Sequence, residues 1–239
     1  MIPLDIDRIR RAFPARTIDY HASIASTMTA AVGRPIGSLV LAEEQTAGQG
    51  RHGHSWHSAA GDGIYCSLVL PQSPLLTLAL GLAAHTAIFE ATGLVCDLRW
   101  PNDLMLADRK VAGILVQAAG RNAIAGIGIN VNQIAFPPDV ASLATSLRLA
   151  AGRPIPREEI LLALLPAVET IVAQDKSAIL ASFTHLSSYA AGRRVQVQQA
   201  EGTLEGNTLG LDPDGFLIVR QDDGTDTLIV AGGVRAARS

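Results

Sequence analysis

The chain has 239 residues, of which 48% are hydrophobic and 4% aromatic, and its formal net charge at neutral pH is −3. This composition excludes a disordered protein and predicts a sizeable core, with length for one catalytic domain and a small second one. The absence of excess positive charge and the scarcity of aromatic rings argue against a surface that binds nucleic acid.

The first part of the chain is predicted to mix short helices and strands around a glycine-rich loop. Ser26 and Thr27 are good N-cap residues, so a helix is expected to begin there. The most apolar segment is interrupted by His85 and is shorter than the ~20 residues of a membrane span, which indicates a buried helix. In chain order, the predicted elements are a surface helix at 5–13, a helix at 26–32, a strand at 38–42, the loop at 45–62, a strand at 64–70 and the buried helix at 75–92.

Three strands in close succession are predicted next, followed by a helical region. The strands are expected at 95–100, 110–118 and 123–131, with a Pro-Asn-Asp turn at 101–103 and the helical region at 156–183. Because helices stand between runs of hairpin-linked strands, this order favours an α+β fold over regular βαβ repetition.

Past residue 189 the sequence changes to short strands separated by Gly, Asp and Pro. Four or five such strands make a small barrel-like module. We therefore expect a catalytic domain at 1–189 and a small β domain at 190–239. The strands are predicted at 195–199, 203–209, 216–220 and 227–230.

The cysteines and the start of the chain bear on the cellular compartment. Cys66 and Cys96 are the only cysteines, and each lies inside an apolar run, so no disulfide framework is implied. Residues 1–17 lack the apolar core of a signal peptide. We expect a cytoplasmic protein that does not enter a membrane.

Residues 48–53 formally match the dinucleotide-binding pattern G-x-G-x-x-G. Such a site also needs a helix that begins at the third glycine and an acidic residue after the next strand, and this sequence offers neither. We therefore reject the dinucleotide interpretation. Closely spaced glycines still let backbone amides approach an anion, and Arg51 adds donors suited to phosphate or carboxylate. The alternative is a flexible surface loop.

Three histidines in the same loop raise the question of a metal site. The spacing of His52, His54 and His57 does not place three ligands on one face, and no adjacent carboxylate or cysteine completes a shell. They are expected to donate to an anion or to face solvent.

Two further clusters accompany the loop. Arg99 to Asp103 stand at a strand-to-strand turn, and Lys110 is followed by small residues that leave room for a ligand near the backbone. Taken singly, Asn102 and Asp103 could be an ordinary turn pair and Lys110 an exposed lysine. The segment 126–132 alternates glycine with branched apolar residues, so one face of that strand is bare enough to pass beneath a bound molecule.

Together these motifs resemble the biotin protein ligase family over residues 18–132. The resemblance implies a mixed-sheet catalytic domain of the biotinyl/lipoyl ligase (class II synthetase-like) fold, and the module after residue 190 is similar to the family's SH3-like domain. The motifs that carry it are the Ser-Thr pair at 26–27, the glycine-rich loop at 45–53 with Trp56 after it, Trp-Pro-Asn-Asp at 100–103, Lys-x-Ala-Gly-Ile-Leu at 110–115 and Gly-Ile-Asn at 128–130.

The resemblance also implies a reaction and a set of site residues. Biotin would be activated with ATP and Mg²⁺ and passed to a lysine of a biotin carboxyl carrier protein, with Lys110 and Arg51 as catalytic residues and no metal held by the protein itself. Biotin would contact Ser26, Thr27, Met28, Gln45, Gly48, Gln49, Gly50, Arg51, Lys110 and Gly113. The nucleotide would contact His52, His54, Trp56, Asn102, Asp103 and Asn130.

The sequence departs from the family pattern at three positions. Gln49 and His54 stand where arginines are usual in the loop, and Met28 stands where asparagine often follows the Ser-Thr pair. Because Gln49 carries no charge and a histidine lacks the permanent charge of an arginine, we expect weaker binding of the adenylate than an arginine-bearing loop gives.

The resemblance leaves other functions open. The Ser-Thr pair begins at residue 26, so no DNA-binding domain and no repressor role are expected, and either a monomer or a homodimer is possible. The alternatives are a lipoate or octanoate ligase or transferase, whose substrate lacks the ureido ring, and a non-catalytic sensor of biotin.

Overall fold

The computed structural model describes residues 3–199 and 202–237, and these residues form two β-sheets and six α-helices. In chain order the elements are α1 (Ile6–Ala12), β1 (Ile18–His21), α2 (Thr27–Ala30), β2 (Leu39–Ala42), β3 (Gly63–Pro71), α3 (Leu76–Thr92), β4 (Asp97–Arg99), β5 (Asp103–Leu106), β6 (Arg109–Ala119), β7 (Asn122–Asn130), α4 (Leu147–Ala151), α5 (Arg157–Val172), α6 (Lys176–His185), β8 (Ala191–Gln199), β9 (Gly202–Leu211), β10 (Leu217–Arg220), β11 (Asp226–Ile229) and β12 (Gly233–Ala236).

The larger sheet has seven strands in the order β1-β2-β3-β7-β6-β5-β4. β1 is parallel to β2 and the other neighbours are antiparallel, so the sheet is mixed and the predicted α+β class is confirmed. The sequence analysis missed β1 and also β5, which begins at the end of the turn predicted at 101–103 and continues into a stretch that the prediction left unassigned. Both strands have only four residues, the shortest run in which alternation can indicate a strand, so their sequence signal is weak.

Helix α3 packs against the large sheet and against the helices α5 and α6. Most of its residues are buried, which confirms the predicted buried helix, because a helix that is apolar on every side must be covered on every side. It ends at Gly93, whose φ of +75° is the left-handed conformation typical of a helix C-terminus. None of the helices in the described parts of the chain is long and apolar enough to cross a membrane.

The region predicted as helical at 156–183 is two helices, because the chain starts a new one at Asp175. The carboxylate of Asp175 accepts a hydrogen bond from the N–H of Ala178 and caps α6. Helix α4 was also missed. It has five residues, capped by the hydroxyl of Ser146, and so shows too little periodicity to be recognised.

A buried ion pair joins the N-terminal segment, β2 and α5. Nη1 of Arg157 lies 2.7 Å from Oε2 of Glu43 and also donates to the carbonyl of Gly63. The other carboxylate oxygen of Glu43 accepts from the N–H of Leu4 and the hydroxyl of Tyr20. Burial by itself raises the pKa of Glu43, but Arg157 and the other donors outweigh it and hold that pKa below its ordinary value.

The second sheet is antiparallel and contains five strands in the order β11-β10-β9-β8-β12. Its turn before β10 packs against the helices, where Gly215 has a φ of +84° and lies close to Leu75 and Leu78 of the larger unit. The buried indole N–H of Trp100 donates to the carbonyl of Gly215 at 2.8 Å. The Trp-Pro-Asn-Asp segment therefore contacts the C-terminal sheet as well as the pocket described below.

Replacing Trp100 by Phe should loosen the C-terminal sheet. The variant keeps an aromatic ring but leaves the carbonyl of Gly215 without its donor, which costs about 1–3 kcal/mol for a buried group. We expect faster amide hydrogen exchange in β8 to β12, with α3 unchanged as the internal control. Unaltered exchange in the small sheet would show that this hydrogen bond does not hold it in place.

Candidate functional site

The floor of the main pocket is a pair of neighbouring strands with glycine on one face. Gly113 of β6 is directly paired with Gly128 of β7, and the indole of Trp56 lies over both. A Cβ atom on Gly128 would stand 2.5 Å from Cε2 of Trp56, and one on Gly113 would stand 3.0 Å from its Cζ3. Only glycine leaves room for a flat group on this floor, which agrees with the bare strand face predicted from the sequence.

The glycine-rich loop folds back on itself above this floor. Gln45 pairs with Ser58 and Gln49 pairs with Ser55, while Arg51–Gly53 form a single 3₁₀ turn at the tip. A Cβ atom on Gly48 would stand 2.6 Å from the carbonyl oxygen of Trp56, so the two arms of the loop touch there. No longer helix follows the third glycine, in agreement with the rejected dinucleotide interpretation.

On one side of the pocket, the carboxylate of Asp103 holds the ammonium group of Lys110. Nζ of Lys110 lies 2.6 Å from Oδ1 of Asp103, and Nη2 of Arg99 lies 2.6 Å from its Oδ2. Burial by itself raises the pKa of Asp103, but the two cations outweigh it and leave that pKa below its ordinary value. Asp103 is therefore a carboxylate at neutral pH and holds the ammonium group of Lys110.

Arg51 connects the loop to both the Trp-Pro-Asn-Asp turn and the C-terminal sheet. Its Nη1 donates to Oδ1 of Asn102 at 2.9 Å and to the carbonyl of Gly232 at 3.3 Å. Asn102 in turn donates to the carbonyl of Ile114 at 3.0 Å. Burial lowers the pKa of Arg51 from its ordinary value, yet a guanidinium remains charged at neutral pH. A fixed positive charge is thus available beside Lys110.

The other end of the pocket is neutral and polar. Oε1 of Gln45 accepts from both the N–H and the hydroxyl of Thr27, at 2.9 and 3.0 Å, and Nε2 of Gln45 donates to Ser58 at 2.9 Å. The buried hydroxyl of Ser26, next to Thr27 in the chain, has no hydrogen-bond partner among the described residues. The indole N–H of Trp56, over the glycine floor near Lys110, also has none among them. Buried polar atoms without partners are costly, so this end is suited to a ligand that supplies them.

The pocket brings together ten of the predicted site residues. These are Thr27, Met28, Gln45, Gln49, Gly50, Arg51, Trp56, Asn102, Lys110 and Gly113. The residues that sequence reasoning did not name as site residues are Cys66, Ile114, Leu115, Gly126, Ile127 and Gly128. For Gly126 and Gly128, alternation along the strand was the available signal.

The remaining predicted residues do not line the pocket, and their roles stay predictions. His52 and His54 are exposed, and the side-chain amide of Asn130 donates to the carbonyl of Thr145. The others outside the lining are Ser26, Gly48 and Asp103, which lie next to residues that do line it.

Replacing Gly128 by Ala should displace the indole of Trp56 from the floor. The new methyl carbon would stand 2.5 Å from Cε2 of Trp56, which is closer than van der Waals contact allows, so the indole ring must move away. We expect a red shift of tryptophan emission as Trp56 becomes hydrated, together with weaker ligand binding. Gly81→Ala is the matched control, because its methyl group would meet side chains only at 3.9 Å. Equal spectra for the two variants would contradict the packing described here.

The chain matches two family models. Residues 22–133 match the biotin/lipoate A/B protein ligase family, and residues 191–234 match the biotin protein ligase C-terminal domain.

Among similar curated proteins is the bifunctional ligase/repressor BirA of Bacillus subtilis, 35% identical, in an alignment that covers 86% of this chain and 70% of that protein. The biotin--[acetyl-CoA-carboxylase] ligase of Mycobacterium tuberculosis is 34% identical, with 91% of this chain and 88% of that protein covered. Among solved structures, the biotin protein ligase from Aquifex aeolicus in complex with biotin and ATP has a TM-score of 0.83 at 29% identity. That match covers 93% of this chain and 99% of the other.

Proposed function

The chain belongs to the biotin protein ligase family, whose members biotinylate carboxyl carrier proteins with ATP, and we infer that the pocket described above carries out both steps of that reaction. The observation that supports this most directly is that Arg51 and Lys110 line the same pocket as the neutral polar pair Thr27 and Gln45. A molecule with a polar ring at one end and a carboxylate at the other suits this arrangement.

The first step joins two anions, so positive charge is its main requirement. A carboxylate oxygen of biotin forms a bond to the α-phosphorus of ATP, the bond to the bridging oxygen breaks, and pyrophosphate leaves. Lys110 and Arg51 offset the negative charge as it shifts between these groups. Asp103 acts on Lys110 by holding its ammonium group in one place.

The second step transfers the biotinyl group to the carrier. The amine of a carrier lysine attacks the carbonyl carbon of the mixed anhydride, loses a proton, and AMP leaves with the bonding electrons. The anhydride must be kept from water until the carrier arrives, and the folded loop over the glycine floor is suited to cover it.

The Mg²⁺ ion that accompanies ATP remains a proposal. No group of three or more His, Cys, Asp or Glu side chains within residues 3–199 and 202–237 is arranged to hold a metal ion, and Asp103 already binds two cations. The described side chains therefore do not form a site in which the protein alone could hold a metal ion. Any Mg²⁺ would be carried by the phosphates of the nucleotide, and we assign no step to it.

We also propose that the chain divides at residue 190 into a catalytic domain at 1–189 and a C-terminal domain at 190–239. The start of the second sheet at Ala191 supports this division. The contacts of Gly215 with Trp100 and of Gly232 with Arg51 suggest that the C-terminal domain helps to hold the pocket closed.

Mass spectrometry of a carrier domain tests the proposed function. The protein is incubated with a purified biotin carboxyl carrier domain, ATP and biotin, and parallel reactions omit ATP or replace biotin by lipoate. We expect the biotinyl mass increase only with biotin and ATP together. A lipoyl adduct would indicate the related lipoate chemistry, and biotin binding without any adduct would indicate a sensor.

A further inference from the structure

We propose that Ser58 and Ser67 are positioning residues that set the hydrogen-bonding polarity at the neutral end of the pocket. They make it complementary to a ligand edge in which an N–H group stands beside a C=O group. This inference rests on the proposed function, in which the cyclic urea of biotin supplies such an edge.

The orientation of the Gln45 amide is determined by a backbone group. The N–H of Thr27 can only donate, so the Gln45 atom that faces it at 2.9 Å must be the oxygen. The hydroxyl of Thr27 also donates to that oxygen, at 3.0 Å, which uses its single proton. Ser67, whose Oγ lies 2.8 Å from Oγ1 of Thr27, must therefore be the donor in that contact.

A carbonyl determines the polarity at the opposite end of the network. Nε2 of Gln45 donates to Oγ of Ser58 at 2.9 Å, and Oγ of Ser58 donates to the carbonyl of Trp56 at 3.2 Å. Because a carbonyl only accepts, the proton of Ser58 cannot turn toward Gln45 without losing this bond. Hydrogen bonds therefore run in fixed directions from Ser67 to Trp56.

This network leaves one acceptor and one donor for a ligand. Oγ1 of Thr27 donates once and accepts once, so one lone pair remains, and Nε2 of Gln45 keeps one N–H without an acceptor among the described residues. The side chains of Thr27 and Gln45 line the pocket, so their free groups face a ligand. Ser58 and Ser67 are buried, so bulk water cannot replace the hydrogen bonds that they make within the network. A urea fits with its N–H on Thr27 and its C=O on Gln45, while a dithiolane ring offers neither group.

Serine-to-alanine variants test the positioning role. Titration calorimetry of Ser58→Ala and Ser67→Ala should show biotin binding weakened about tenfold, the scale for one lost buried hydrogen bond. The ATP affinity and the kcat at saturating biotin should stay within about twofold. Ser38→Ala is the matched control, because Ser38 is also buried but stands outside the network, and it should bind biotin normally. Biotin affinities of both variants equal to that of Ser38→Ala would overturn the proposal.

A variant that replaces the free donor of Gln45 by an acceptor tests the same inference if the alanine variants unfold. Gln45→Glu replaces the free N–H by an acceptor, so it should favour 2-iminobiotin, in which a protonated guanidinium replaces the urea. We expect the ratio of iminobiotin to biotin affinity to rise at least about tenfold, and an unchanged ratio would contradict the assignment. Binding is measured directly, so these results are distinct from a wild-type protein that fails to biotinylate its carrier.

Discussion

Replacing Lys110 by Ala should slow formation of biotinyl-adenylate by at least about 100-fold, the scale for loss of one electrostatic stabiliser. The ammonium group lines the same pocket as Arg51 and is held by Asp103, and no other lysine lines that pocket among the described residues. The measurement is single-turnover release of pyrophosphate from ATP and biotin. Biotin binding should change much less, because the neutral end of the pocket is intact.

The chain's other lysine provides the matched control for this variant. Lys176 and its ion-pair partner Asp214 are both more than half exposed, so Lys176→Ala should keep the wild-type rate. Circular dichroism must show that Lys110→Ala is folded, since Asp103 then loses one of its cation partners and keeps Arg99. A folded Lys110→Ala protein that releases pyrophosphate at nearly the wild-type rate would remove Lys110 from the catalytic role.

The long elements of the fold were predictable because their sequence patterns have physical causes. The buried helix at 75–92 and the strands at 110–118 and 123–131 are long enough for burial to leave a clear pattern of apolar residues. The four-residue strand β1 alternates apolar Ile18 and Tyr20 with polar Asp19 and His21, but a run this short does not by itself distinguish a strand from a loop. Its position depends on pairing with β2, which is tertiary information.

The candidate site was predictable in its composition but not in its internal contacts. Lys110 and Arg51 stand out as cations in small-residue surroundings, and the alternating glycines of β7 mark a bare face. Nothing in the sequence shows that Asp103 turns toward Lys110, or that Ser67 reaches Thr27 across 40 positions of the chain. Those contacts depend on which strands are neighbours, and this was not resolved from the sequence.

Replacing Glu43 by Gln should lower the free energy of unfolding by about 3–5 kcal/mol, the range measured when one partner of a buried ion pair is removed. The variant keeps the size of the side chain but leaves the guanidinium of Arg157 buried without the carboxylate of Glu43. Urea denaturation at neutral pH measures the loss. Glu159→Gln is the control, because Glu159 and Arg8 form an exposed pair at 2.7 Å that solvent screens, so its loss should change stability far less.

The same carboxylate predicts the sign of an acid effect on stability. In the folded chain the pKa of Glu43 lies below its ordinary value of 4.5, so the unfolded chain takes up the proton first as pH falls. The stability that Glu43 contributes is complete above that ordinary value and is lost as pH falls through the lower, folded-state pKa. Wild-type protein should therefore lose stability more steeply on acidification than Glu43→Gln, which has no proton to bind at this position. Parallel curves for the two proteins across the acid range would show that the buried pair contributes nothing to acid sensitivity.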